Sequence, residues 1–155
     1  MEKSTSLHTI CRLLLRELRH ERNVQQAHIG QLLGRSGSSW SKVESGETPL
    51  TLEHLLTACA ACQVWPSELL QAAQSYMTLL SQNGWFVATY GTALPKEEDR
   101  LSIEADKYYA SPSSRVPLPP THRYPVLQTP WPYPGSNAVP LPVFRWVLEP
   151  KIAAI

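Results

Sequence analysis

A run of hydroxyl and cationic side chains stands between two glycines, Gly34 and Gly46. Arg35 and Lys42 carry positive charge and the serines between them can donate hydrogen bonds, whereas bulky apolar side chains are almost absent from this stretch. A helix with so little bulk has few atoms with which to pack against protein on its polar side. The pattern therefore predicts that something other than protein contacts this face.

Other residues with reactive side chains do not form a recognisable catalytic or metal-binding pattern. Cys59 and Cys62 have the spacing of a metal or redox pair, but such a site needs further ligands or a position at a helix start. We therefore predict that both cysteines pack in the core and that His54 is exposed on a helix. The sequence has no glycine-rich phosphate loop, nucleophile elbow or HExxH motif. It predicts a non-enzyme without a cofactor or a metal.

Length, charge and cysteine content narrow the class of protein further. A chain of 155 residues can bury one modest core with an appendage. Its 14 Lys and Arg residues nearly balance 13 Asp and Glu residues, so any basic patch must be local. The three cysteines suit a reducing compartment, and no apolar run approaches the roughly 20 residues of a membrane span. We predict a cytoplasmic protein that does not associate with membranes.

The first part of the chain is predicted to be helical. In the first helix Cys11, Leu14 and Leu18 share one side, while Arg12 and Arg16 are predicted to lie on a solvated face. The later helices are expected at residues 26–33, 37–45, 51–62 and 66–82, on the basis of their cap residues and apolar spacing.

Cap residues set the boundaries of these helices. Asn23 is predicted to cap the second helix in a capping box with Gln26, and Gly34 to end it. Ser36 is predicted to cap the third helix through its hydroxyl group, and Gly46 to end that helix. Trp40 and Val43 then fall on the side that faces the core.

Two short helices joined by a glycine turn are the geometry of a helix-turn-helix, in which the second helix enters the major groove of DNA. In this arrangement Gly37 and Ser38 are small so that the backbone of the helix can approach DNA closely. Lys42 lies on the same outward face and can bond a guanine edge or a phosphate. We therefore predict that the polar face of the third helix contacts DNA.

Residues 15–70 resemble the phage-repressor/Cro-like helix-turn-helix regulators, also called the XRE class. The resemblance rests on the "LRELR" entry to the domain, the "LLG" turn, the serine-capped third helix ending in "ESG", and the closing "SELL". It implies a mainly α fold, a five-helix lambda-repressor-like domain, to which a Pro-rich C-terminal extension with short β-strands would be attached.

The resemblance also implies roles for individual residues. Arg19 and Glu44 would form a structural ion pair, and Gln26 would contact phosphate and brace the recognition helix. Because Gly37 has no side chain, direct reading of bases would rest mainly on Lys42 and Ser38, with DNA shape adding specificity. The complete predicted DNA-binding set is Gln26, Arg35, Ser36, Gly37, Ser38, Ser39, Ser41 and Lys42.

The composition changes after residue 83, where we divide the chain into a DNA-binding domain, residues 1–83, and an extension, residues 84–155. Most of the 14 prolines fall in that extension. Residues 84–91 and 143–148 are rich in β-forming side chains and are predicted to be strands that can pair. Residues 117–136 favour polyproline II, and Tyr124, Trp131 and Tyr133 suggest that this segment docks on its own domain or a dimer mate rather than serving as a partner-binding peptide.

Dimerisation is expected because members of the resembled family bind paired half-sites as two-fold dimers. The predicted contact surface is the last helix of the domain together with the β-rich runs. On that helix apolar residues recur at helical spacing: Leu69, Ala73, Met77 and Leu80.

The function predicted from the sequence is a sequence-specific transcriptional regulator, more specifically a repressor, that binds a palindromic operator in double-stranded DNA as a homodimer. The alternative is an antitoxin-like autoregulator whose Pro-rich tail binds a protein partner. A regulator whose tail senses a small ligand is a third and weaker interpretation, because the sequence defines no pocket.

Overall fold

A computed structural model of the chain describes residues 2–115, 125–130 and 139–149. The described residues are mainly helical. In chain order the elements are β1 (Ser4–Ser6), α1 (Leu7–Glu21), α2 (Gln26–Leu32), α3 (Gly37–Ser45), α4 (Leu52–Ala61), α5 (Pro66–Gln82), β2 (Phe86–Ala88), α6 (Arg100–Ala110) and α7 (Pro142–Leu148). Short 3₁₀ turns lie at Lys96–Glu98, Pro112–Arg115 and Val126–Gln128.

The amphipathic helix α1 lies at the centre of the fold. It packs against α3, α4 and α5, and against the turn at Val126–Gln128. Its apolar side chains Ile10, Leu14 and Leu18 are completely buried. The other helices are therefore arranged around one apolar helix face, as the 3.6-residue periodicity of α1 requires. Within the described residues, none of the helices is both long enough and apolar enough to cross a membrane.

In the first 83 residues, two glycines lie at helix ends and one proline lies at a helix start, as the sequence predicts. Gly34, which follows the C-cap residue Leu33 of α2, has φ +73°, and Gly46 caps the C-terminus of α3 with φ +84°. Pro66 occupies the first turn of α5, where its missing N–H costs nothing. The predicted end of α3 and start of α5 are confirmed, and α2 ends at Leu32, one residue earlier than predicted.

Several side-chain caps differ from the prediction. The N-cap of α2 is Gln25, while Asn23 has a left-handed φ of 55° in the preceding turn and so is not positioned as a cap. The hydroxyl of Ser36 makes no capping bond to an α3 amide, because it lies 2.9 Å from the hydroxyl of Ser38. His54 is buried rather than exposed: its ring lies against Trp40, and its Nδ1 accepts from the Thr51 amide in the capping box of α4.

The two β-rich runs have different structures. Residues 84–91 do contain a strand, β2, but it pairs in parallel with β1, with Ser4 opposite Phe86. Residues 143–148 form helix α7, so the prediction of a strand there is wrong. Pro142 lies in the first turn of α7, and burial of Val143 and Phe144 in the core outweighs their β-propensity.

The predicted dimer stripe on α5 is also wrong, because the chain itself covers it. Leu69, Ala73 and Leu80 are fully buried, and Met77 packs against the same core. The helix is covered by α1, β2 and the turn at Val126–Gln128. The excess apolar surface that the sequence shows on α5 is matched by apolar residues of the extension.

The described parts of the extension pack into the same core as the first five helices. Phe144 stacks on Tyr76 with ring centroids 4.0 Å apart. The Tyr76 hydroxyl donates to Oγ1 of Thr129 at 2.7 Å and accepts from the Leu141 amide at 2.8 Å. The aromatic residues that suggested docking, Tyr124, Trp131 and Tyr133, lie outside the described residues.

Candidate nucleic-acid interface

Helix α3 presents a polar face outward and buries an apolar one. Trp40, Val43 and Glu44 are buried, and Trp40 lies edge-on to the ring of His54. Ser38, Ser41 and Lys42 are exposed, and their spacing of three and four residues puts them on one side of the helix. We refer to Ser38, Ser41 and Lys42 as the outer face of α3.

Two glycines allow α2 and α3 to pack at very short range. A Cβ atom on Gly37 would lie 2.9 Å from Cα of Ala27, and one on Gly30 would lie 2.4 Å from the carbonyl oxygen of Ser36. Real Cβ atoms essentially never come so close to backbone atoms. Gly37 is thus required by the contact with α2, which is a different reason from the close approach to DNA that the sequence suggested.

A buried ion pair fixes α3 to α1. Nε of Arg19 lies 2.9 Å from Oε2 of Glu44, and its Nη2 donates to Oε1 at 3.0 Å. The two side chains are 10% and 3% exposed. Nε2 of Gln26 donates to the same carboxylate at 3.0 Å, so residues from α1 and α2 both hold Glu44. This arrangement restrains the rotation of α3 about its own axis and so keeps the outer face directed outward.

Arg12 and Arg16 do not form the solvated face that was predicted. Arg12 is 7% exposed, and it donates through Nη1 to the carbonyl oxygen of Glu44 at 2.8 Å. Desolvation by burial lowers the pKa of Arg12. The guanidinium of Arg16 lies 3.7 Å from the ring centroid of Tyr109. Both arginines face residues that fold onto α1 from distant parts of the chain, which periodicity within α1 does not reveal.

The structure places most of the predicted DNA-binding residues on α3 and in the turn before it, but several of their polar groups are already used. Gln26 is bonded to Glu44, and the hydroxyl of Ser39 donates to the Ser36 carbonyl oxygen at 2.7 Å. Arg35 and Lys42 are exposed and, in the part of the chain that the structure describes, neither forms an ion pair. The hydroxyl of Ser38 lies 2.9 Å from that of Ser36, so the exposed side chains of Arg35, Ser41 and Lys42 have the most free hydrogen-bonding capacity among the described residues of this set.

The cysteines pack in the core, as predicted. Cys59 and Cys62 are buried, and burial raises the pKa of both thiols, that of Cys59 to about 11. The thiol of Cys11 is likewise desolvated, with a pKa raised to about 12. Such thiols are protonated near neutral pH and therefore weak nucleophiles and poor metal ligands. Among the described residues no group of three or more His, Cys, Asp or Glu side chains is placed to hold a metal ion.

Sequence reasoning missed a buried polar cluster that lies against α3. Asp99, the N-cap of α6, accepts hydrogen bonds from the hydroxyls of Thr5 and Thr9 and from the Ser102 amide. Nη2 of Arg12 donates to the Ser102 hydroxyl at 2.8 Å. Asp99 followed by apolar residues at helical spacing is a helix-start signal, but the partners of this cluster are far apart in the chain and no local pattern links them.

Comparison with known proteins finds a match for the first part of the chain. A family model described as a helix-turn-helix domain matches residues 12–73, which extend from the first turns of α1 into α5. No curated protein and no solved structure matches the chain. Residues 12–73 thus match a helix-turn-helix domain, and α2 and α3, two short helices joined by a glycine-containing turn, lie within the matched residues.

Proposed function

We propose that this protein is a sequence-specific DNA-binding transcriptional regulator of the phage-repressor/Cro-like (XRE) class. The observation that carries the proposal is the outer face of α3, which is polar, exposed and held in orientation by the buried Arg19–Glu44 pair. A recognition helix placed in the major groove needs such an outward face and a rigid support behind it.

Within this proposal the exposed residues have separate roles. Lys42 and Ser38 contact base edges, since lysine and serine can donate to acceptors in the major groove. Arg35, in the turn between α2 and α3, contacts phosphate and fixes the register without reading sequence. Because Gly37 has no side chain, sequence-dependent DNA shape supplies part of the specificity.

The proposal further assigns a repressor that acts in the cytoplasm, has no enzymatic activity, and binds a palindromic operator as a two-fold dimer. A dimer doubles the number of half-sites that are read and matches the symmetry of a palindrome. Because the α5 stripe is buried within the chain, the dimer contact must use another surface. Sedimentation velocity of the full chain, alone and with DNA, measures the stoichiometry.

The described parts of the extension favour a regulator over an antitoxin-like protein. Val126 and Thr129 are buried, and the Val126 amide donates to Glu21 of α1 at 2.8 Å. Segments engaged in the core of their own chain are not available to mask a partner. Copurification of a protein that requires residues 84–155 would instead support the alternative.

The test begins with selection of duplexes from a randomised library by the full-length protein. Fluorescence anisotropy then compares the enriched duplex with a random-sequence duplex over a range of salt concentrations. We expect selective binding that weakens steeply with salt, because phosphate contacts release counterions. Equal, weak binding of both duplexes would contradict a sequence-specific regulator.

Lys42→Ala separates base reading from phosphate contact. If Lys42 reads a base, the variant loses about 1–3 kcal/mol on the enriched duplex and its specificity at that position relaxes. Lys107→Ala is the matched control, since Lys107 is exposed on α6 and its removal changes the net charge equally. An affinity equal to that of wild type would remove Lys42 from the interface, and a uniform loss on both duplexes would assign it to phosphate.

A further inference from the structure

The C-terminus of α3 requires hydrogen-bond donors from outside the helix. An α-helix leaves its last four carbonyl groups without partners in the helix. Two of these in α3 are satisfied by the following turn. The carbonyl oxygen of Lys42 accepts from the Thr48 amide at 3.1 Å, and that of Val43 accepts from the Gly46 amide at 3.2 Å.

The remaining two carbonyls accept from cationic side chains of other segments. Nη1 of Arg12 donates to the carbonyl oxygen of Glu44 at 2.8 Å, and Nζ of Lys96 donates to that of Ser45 at 3.0 Å. Positive charge at a helix C-terminus also interacts favourably with the helix dipole. The end of α3 is therefore closed by one cation from α1 and one from the extension.

Both cations are held by residues of the extension. Nζ of Lys96 lies 3.2 Å from Oδ2 of Asp106 on α6. Arg12 donates through Nη2 to the Ser102 hydroxyl, and Ser102 in turn donates its amide to Asp99 at 3.0 Å. Asp99 is 2% exposed, which makes this anchor part of the buried structure. The helix-turn-helix match ends at residue 73, so none of these anchors belongs to the matched domain.

We infer that residues 96–102 of the extension position the recognition helix for DNA, through Lys96 directly and through Ser102 acting on Arg12. The inference rests on the proposed function of α3. Ser45 lies on the same side of α3 as Lys42, one turn away, so a loss of the donor at its carbonyl loosens the turn that carries Lys42. Lys96 and Ser102 are positioning residues that do not themselves contact DNA.

The test uses the full-length protein and the duplex enriched by wild type, with a random-sequence duplex as the second probe. Lys96→Ala is expected to bind the enriched duplex about two- to fivefold more weakly, with little change on random sequence. Lys96→Arg restores the affinity because it keeps a cationic donor. Ser102→Ala changes no charge, and we expect it also to weaken binding to the enriched duplex. Lys107→Ala removes one positive charge from α6 and is the control for the loss of charge in Lys96→Ala.

The salt dependence distinguishes positioning from direct contact. A lysine that binds phosphate contributes about 0.9 to the slope of log affinity against log salt. We expect Lys96→Ala to keep the wild-type slope, and hydrogen exchange of the Gly46 and Thr48 amides to be faster in this variant than in Lys107→Ala. A reduced slope with equal losses on both duplexes would overturn the inference, because Lys96 would then be a phosphate contact.

Two further outcomes distinguish failure of the inference from failure of the proposed function. If wild type enriches no duplex, the proposed function fails and the inference fails with it. If wild type enriches a duplex that Lys96→Ala and Ser102→Ala bind with wild-type affinity and selectivity, the inference alone is overturned.

Discussion

Gly37 shows that a small residue in α3 can be required by packing against another helix of the same protein. Glycine in a helix costs about 1 kcal/mol relative to alanine, so Gly37→Ala would stabilise an isolated helix. In this fold the added Cβ would meet Cα of Ala27 at 2.9 Å, and α2 and α3 must separate. We expect a net loss of about 1–3 kcal/mol in the free energy of unfolding.

Urea denaturation measures this effect, with Ser38→Ala as the control on the exposed side of the same helix. The control is expected to stay within about 0.5 kcal/mol of wild type. A Gly37→Ala variant more stable than wild type would show that α2 can move aside at little cost.

The Arg19–Glu44 pair is the clearest case in which one side chain determines stability at the site. Arg19→Ala leaves the Glu44 carboxylate buried, with Gln26 as its remaining side-chain partner among the described residues. Removal of one partner of a buried pair costs about 3–5 kcal/mol. Arg22→Ala is the matched control because its pair with Glu21 is exposed, and such pairs contribute about 0–1 kcal/mol. Equal melting temperatures for the two variants would contradict a larger contribution of the buried pair to stability.

The lowered pKa of His20 predicts that the free energy of unfolding depends on pH. Its pKa is lowered from 6.5 by desolvation and by the neighbouring cations Arg19 and Arg16. The unfolded chain therefore binds more protons than the folded chain, and stability is lost as the pH falls through 6.5 toward the lower folded pKa. His20→Gln should lose less stability than wild type between about pH 7.5 and pH 5.

Urea denaturation at several pH values in this range is the measurement. His28→Gln is its control, because His28 is exposed on α2. Parallel stability curves for wild type and His20→Gln would contradict a folded state that disfavours the charged imidazole.

Local sequence patterns predict the helices up to residue 82, because caps and apolar spacing act over a few residues, but they do not predict strand β1. Gly34, Gly46 and Pro66 act through their own backbone preferences, and Trp40 and Val43 lie one turn apart on one helix face. The partners of Arg12 could not be predicted in the same way. Its contact with Ser102 joins residues 90 positions apart in the chain, so the residues that close the end of α3 emerge only when α6 is placed.

Helix α7 demonstrates how tertiary packing overrides β-propensity. The run that it occupies contains β-branched and aromatic residues, which favour strands on a pleated surface. In the fold Val143 and Phe144 are both fully buried, next to one another in sequence, whereas an alternating strand would place them on opposite faces. A short helix begun by Pro142 lets both contact the core.

Phe144→Ala tests the contribution of α7 to the fold. The variant removes a fully buried ring that stacks on Tyr76, and we expect a loss of about 3–5 kcal/mol in the free energy of unfolding. Arg145→Ala on the exposed side of the same helix is the control. Denaturation midpoints that coincide for the two variants would show that α7 contributes nothing to the core.

At the scale of the whole molecule, the division at residue 83 does not coincide with an end of the apolar core. The buried cluster continues from α1 and α5 into Leu101, Tyr108, Val143 and Phe144. The buried Asp99 is likewise bonded to Thr5 and Thr9 at the start of the chain. The change of composition at residue 83 marks a change in proline content, which is a property of sequence and not of packing.

The continuity of the core predicts that residues 1–83 alone do not fold stably. Each buried side chain such as Leu101 or Phe144 contributes about 1.5–3 kcal/mol, and loss of several of these approaches the 5–15 kcal/mol that stabilises a typical domain. Circular dichroism during thermal melting should show a cooperative transition for residues 1–149 and a weak or absent one for residues 1–83. If the shorter fragment melted cooperatively at the same temperature, the helix-turn-helix domain would be stable by itself. The contacts from α6 and α7 would then be additions to a finished core, and the capping cation Lys96 would be the principal structural link between the extension and α3.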